Sequence, residues 1–169
     1  HLLVRRAINA LQSMSGAGAD SLIEARTESL YQQTIQTYAD RPDGEDACLL
    51  ATLDYWEWKN GNRHSTQDDT AYLQALDDLM ARYADRPLCA EVYLRKAQWM
   101  SRGGEGRSVG EAIRLCDEAI RRYASYDRIG QVKQLRAELL RPQISLSGER
   151  IGYPGDTLAI QVHYRTMDA

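Results

Sequence analysis

The chain has 169 residues, of which 43% are hydrophobic and 27% charged, and its formal net charge is −3. Such values suit a globular protein that buries a core, and they exclude the strongly basic face of a nucleic-acid-binding domain. No run approaches the roughly 18 apolar residues that a membrane-spanning helix needs.

Three cysteines, Cys48, Cys89 and Cys116, are an odd number without Cys-x-x-Cys spacing. Each falls inside a helical pattern and reads as a small buried apolar residue. The chain begins at His1 without a signal-peptide pattern and ends at Arg165–Ala169 directly after a strand pattern. It therefore reads as a segment of a longer protein, so absent targeting signals carry no information on localisation.

In chain order, hydrophobic periodicity predicts about seven helices, near 2–14, 20–39, 46–60, 67–84, 88–102, 109–124 and 127–140. Val4, Ala7, Ile8, Leu11 and Met14 form one stripe on the first. Caps are predicted at Ser21 with Glu24, Ser65 with Asp68 and Ser108 with Glu111. Breaks fall at the glycines of Ser15–Gly18, at Gly61 and at Gly103-Gly104.

A short word repeats along this series. Tyr38-Ala-Asp-Arg-Pro42 recurs unchanged as Tyr83-Ala-Asp-Arg-Pro87, 45 residues on, and a degenerate copy, Tyr123-Ala-Ser-Tyr126, follows after another 40. Each copy ends one amphipathic helix and precedes another, and proline is expected to stop the helix just finished. The helix near 46–60 carries two stripes, Ala47, Leu50, Ala51 and Trp58 on one side and Leu49, Leu53 and Trp56 on the other. The helix near 88–102 sets Ala90, Tyr93, Leu94, Ala97 and Met100 against Val92 and Trp99, whereas that near 127–140 returns to a single stripe. Two-sided helices in the middle and one-sided helices at the ends predict a mainly α, stacked α-α superhelix over residues 1–141, rather than a four-helix bundle.

After Leu140 the pattern changes. Pro142 blocks the helix, Ile144 and Leu146 alternate, Tyr153-Pro-Gly-Asp156 reads as a turn, and Leu158, Ile160, Val162 and Tyr164 alternate again. Two strands do not make a stable domain. Residues 142–169 are therefore expected to pack on the helices, pair with another copy through unpaired edges, or open a β-sandwich cut short at 169.

The histidines, paired carboxylates and glycine-rich stretches form no catalytic or metal-binding pattern in the sequence. His1, His64 and His163 lack ligand spacing. Asp68-Asp69 and Asp77-Asp78 are sequence neighbours on helices, where adjacent side chains diverge, and read as solvated faces. Gly16-Ala-Gly18 follows a helix rather than a strand, against a dinucleotide fingerprint. The stretch Gly103–Ser108 lacks the Gly-Lys of a phosphate loop. The expectation is a chain without enzymatic activity, cofactor or metal, whose partners are a protein, a peptide or neighbouring domains of its own chain. Trp56, Trp99 and Tyr72 are the candidate lining of a protein-binding groove, or else interlayer core.

The stretch Glu111–Tyr123 resembles the second helix of a tetratricopeptide repeat, with Ala112 and Ala119 at its small positions and Cys116 where an aromatic is usual. Ala90, Tyr93, Ala97, Met100 and Gly104 fit the first helix and its turn. Ala47 to Gly61 fits less well, with Asp54 at a small-residue position. The resemblance covers about residues 20–140 and implies a contact module. The repeat lengths exceed the usual ~34 residues.

Pro142 to Leu158 resembles the opening of the first macroglobulin-type β-sandwich of bacterial alpha-2-macroglobulin-like proteins, although Gly152 stands where that pattern has tyrosine. This second resemblance implies the N-terminal part of a cell-envelope protein, periplasmic or outer-membrane, whose whole length would trap proteases. Cys89-Ala-Glu-Val92 has Val92 where a thioester motif requires glutamine, and is not one. The alternative expectation is a stand-alone tetratricopeptide adaptor or envelope assembly factor.

Overall fold

The computed structural model describes the backbone of residues 20–61, 66–102, 108–148 and 160–165, and side chains within 22–61, 69–102 and 108–142. Among these residues the protein is mainly helical, with six α-helices: α1 (Asp20–Ala39), α2 (Glu45–Gly61), α3 (Thr66–Arg82), α4 (Ala90–Ser101), α5 (Val109–Arg122) and α6 (Ile129–Leu139). The helix expected near 2–14 lies outside the described residues. Each helix packs on the next in sequence, and α4 also packs on α6.

The local chemistry of α5 explains its bounds. Ser108 is extended and its hydroxyl accepts from the Glu111 amide at 3.4 Å, satisfying one orphan N–H of the first turn. Glu111 lies in the positive first turn and Arg121 and Arg122 in the negative last one. Ser65 lies outside the described residues. Ser21, expected as a cap, is already inside α1, which spans Asp20–Ala39.

The three copies of the repeated word fold alike. The amide three positions after each tyrosine donates to that tyrosine's carbonyl: Arg41 to Tyr38 at 3.2 Å, Arg86 to Tyr83 at 2.9 Å and Tyr126 to Tyr123 at 2.9 Å. The amide three further on repeats the step: Gly44 to Arg41 at 3.1 Å, Cys89 to Arg86 at 2.9 Å and Ile129 to Tyr126 at 3.0 Å. Two consecutive turns thus link α1 to α2, α3 to α4 and α5 to α6. The role expected of proline is corrected here. α3 ends at Arg82, and Pro87 is the first residue of a 3₁₀ turn, Pro87–Cys89, that leads into α4. Its fixed φ and missing N–H suit that starting position, so it opens the following helix rather than stopping the previous one.

A second regularity joins one unit to the next. Eight positions after the tyrosine stand Asp46 and Glu91, and each is met by the residue three positions after the next tyrosine. Arg86 lies 3.2 Å from Asp46 and also pairs with Glu45. The Tyr126 hydroxyl donates to Glu91 at 2.8 Å, and Arg128 adds an ion pair at 3.2 Å. The Tyr123 hydroxyl reaches back to the carbonyl of Ala84, inside the second copy, at 2.9 Å.

One large core cluster runs from Leu49 on α2 to Leu139 on α6. α4 lies at its centre: Ala90, Glu91, Val92, Tyr93, Leu94, Ala97 and Trp99 are all buried. That near all-round burial agrees with its two stripes, and a helix buried on opposite sides needs neighbours on both. α6 buries only Ile129, Val132 and Leu139, and Gln131, Lys133, Gln134 and Glu138 are exposed. Beyond it, Gln143–Gly148 (β1) and Ile160–Arg165 (β2) run antiparallel, Ile144 opposite Tyr164 and Leu146 opposite Val162. The turn expected at Tyr153–Asp156 lies outside the described residues.

Candidate binding pocket

Spacing on two helices builds a pocket of about 210 Å³. Arg95, Gln98, Trp99 and Arg102 recur at intervals of three and four, which puts them on one side of α4 and its C-cap. Glu57, Asn60 and Gly61 do the same at the end of α2, and Tyr72 of α3 completes the lining.

Arg95 is committed. Its Nε lies 2.7 Å from Glu57 Oε1, a contact of charge rather than an aligned hydrogen bond, and its Nη1 donates to Gln98 Oε1 at 3.3 Å. Arg102, by contrast, has no carboxylate partner among the described residues. Tyr72 is only 4% exposed, yet its hydroxyl makes no hydrogen bond to any described residue. Burial raises its pKa to about 12; Glu57 raises it further, while Arg95 and Arg102 pull the other way. Tyr72 therefore stays a neutral O–H donor at physiological pH.

Of the three aromatic residues singled out in the sequence, Tyr72 and Trp99 come together in this pocket, both almost fully buried. Trp56 does not join them. It is half-buried and packs on both the main core and a smaller aromatic cluster of Tyr31 and Tyr55, on which Trp58 also lies. Both tryptophans of α2 thus meet the smaller cluster, and Trp56 reaches the main core as well. In the smaller one, Tyr31 and Tyr55 meet edge to face at 5.8 Å and Tyr55 meets Trp56 at 5.5 Å. The Lys59 ammonium sits 5.2 Å from the Tyr55 ring and 5.5 Å from the Trp56 ring. It donates to the Tyr55 hydroxyl at 2.8 Å and to Glu28 at 3.2 Å. The Tyr55 hydrogen bond, with Glu28 behind it, raises the Lys59 pKa against the effect of burial.

The residues that composition alone did not single out are Glu57, Arg95, Asn60 and Arg102. The signal available was the spacing Arg95, Gln98, Arg102, a polar line on a helix whose other sides are apolar.

The cysteines are buried and unpaired. Cys48 Sγ lies 3.9 Å from the Ile35 carbonyl and Cys89 Sγ 3.9 Å from that of Met80, each three positions before a repeated tyrosine. Burial, and then Asp117, raises the Cys116 pKa to about 11, and burial also raises that of Cys89. Among the described residues no group of three or more His, Cys, Asp or Glu is placed to hold a metal ion. No described helix is long and apolar enough to cross a membrane.

Comparison with family models, with curated proteins and with solved structures found no match for this chain.

Proposed function

We propose that the chain is a non-catalytic protein-interaction module, a tetratricopeptide-like helical superhelix over residues 1–141, at the front of a larger cell-envelope protein of the alpha-2-macroglobulin-like kind. In this reading residues 142–169 open a β-sandwich, and protease trapping belongs to the whole protein.

The observation that carries the reading is the threefold use of one connector together with the clasp between units. Recurrent turns that return the chain at the same point, each tied to the next copy, are the arrangement expected when every unit is stabilised chiefly by its neighbours. The contact of α4 with both α5 and α6 supports it, because stacked helical hairpins meet in that way. Such stacks present extended surfaces, and their usual work is contact.

The test has two parts. The open reading frame beyond Ala169 should encode successive β domains of about 100 residues each; a frame that ends shortly after β2 would favour a stand-alone adaptor. In the full-length protein, deletion of residues 20–140 should abolish co-purification of its partner from the envelope fraction and leave the remaining domains folded. Retention of the partner would refute the module.

A further inference from the structure

We infer that the pocket between α2, α3 and α4 binds a single carboxylate presented by a peptide, with Arg102 and Tyr72 as its principal donors. The inference deepens the interaction-module reading by naming the chemistry of one contact.

Two donors in the pocket, Arg102 and Tyr72, have side chains without an acidic or hydrogen-bonding partner among the described residues. Glu57 is held by Arg95, and the side-chain oxygen of Gln98 accepts from the same guanidinium. The Arg102 guanidinium has no carboxylate partner and the Tyr72 hydroxyl no hydrogen-bond partner among the described residues. Asn60 contributes a further amide to the lining. Tyr72 is almost fully buried as a residue and lines the cavity, and its hydroxyl has no hydrogen-bond partner among the described residues, so a guest in the cavity that accepts from it would complete the arrangement. The guest that completes it must accept hydrogen bonds from several directions and carry negative charge; a carboxylate does both.

The volume limits the guest. About 210 Å³ is below the usual range for drug-sized ligands, so it accommodates one side chain or one chain end. Trp99 provides an apolar wall for the methylene groups behind the carboxylate. Charge makes Arg102 decisive. α2 and α4 both end at this pocket, and each helix C-terminus brings roughly half a negative charge. With Glu57 already neutralised by Arg95, loss of Arg102 leaves a site that repels an anion.

The test uses the purified 169-residue chain and four probes: a capped Ala-Ala-Glu-Ala peptide, its Gln counterpart, a tetra-alanine with a free C-terminal carboxylate, and sodium acetate. Binding is read from the Trp99 indole N–H resonance. The expected result is a saturable shift with the Glu peptide or the free-ended peptide, at a Kd on the order of 1 mM, and none with the Gln peptide. Whichever carboxylate peptide binds more tightly identifies the source. Arg102→Gln, at an exposed residue, should weaken binding about tenfold or more, and Tyr72→Phe several-fold, as expected for hydrogen bonds to a charged group. Equal binding of the Glu and Gln peptides, indifference to Arg102→Gln, or no shift with any probe would overturn the inference. Acetate binding as tightly as the peptides would overturn its peptide part and leave a simple anion site. In the full-length protein, a partner retained by Arg102→Gln but lost on deletion of residues 20–140 refutes the pocket and leaves the module standing. The opposite pattern, Arg102-dependent peptide binding without any effect of the deletion, refutes the module alone.

Discussion

Glu91 is 3% exposed, and a carboxylate so deeply buried is destabilising unless it is paired and hydrogen-bonded. Its two partners are not equivalent. Tyr126 donates at 2.8 Å from a half-buried position, whereas the Arg128 side chain is 54% exposed and its attraction is weakened by water. Tyr126→Phe should lower the unfolding free energy by about 1–3 kcal/mol, and Arg128→Ala by less than about 1 kcal/mol. Urea titration of both variants checks the order; a costlier Arg128→Ala would show that the arginine, not the hydroxyl, holds Glu91. The equivalent pair, Arg86 with Asp46, is exposed on both sides. Its removal should fall within the same small range as Arg128→Ala.

At the scale of the element, the connector combines a shared hydrogen-bond scheme with one position that differs. A Cβ on Gly44 would lie 1.9 Å from the Tyr38 carbonyl oxygen, a backbone atom that cannot swing aside. Cys89 occupies the corresponding place in the second copy, so this close approach belongs to the α1–α2 connector. Gly44→Ala should destabilise by about 1–3 kcal/mol, the usual range for forced overpacking. Gly61→Ala, with nothing within 4 Å of its Cβ, should be near neutral or slightly stabilising. Thermal unfolding of the two variants side by side makes the comparison, and a tolerant Gly44→Ala would mean that the connector can open. The helices and the recurrent word were legible in the sequence because periodicity and identity are local properties. The clasp was not: its acceptors are Asp46 and Glu91, and its donors are Arg86 and Tyr126, so residue type changes while position stays fixed. The pocket was half legible. Tyr72 and Trp99 stood out as large aromatics, whereas Glu57 and Arg95 meet across 38 positions of chain, which no helical period reveals.

At the scale of the whole molecule, the helices bury several weak acids, and this sets the response to alkali. Burial is the leading cause of raised pKa values at Tyr72, Tyr83, Tyr93, Tyr123 and Tyr126, and likewise at Cys89 and Cys116. Tyr72 and Tyr126 reach about 12 and Cys116 about 11, above the ordinary values of 10 and 9. In each case the fold favours the protonated form. The contribution to stability is therefore complete below the unfolded values, up to about pH 9, and is lost as pH rises through 11 and 12, where the unfolded chain holds fewer protons than the folded one. The urea midpoint should stay level from about pH 7 to 9 and fall steeply by about pH 11. Tyr72→Phe should make that fall shallower, because it removes a desolvated hydroxyl that titrates late. A midpoint unchanged to pH 11, or an identical slope in Tyr72→Phe, would mean that these hydroxyls reach water more freely than their burial between the helices implies.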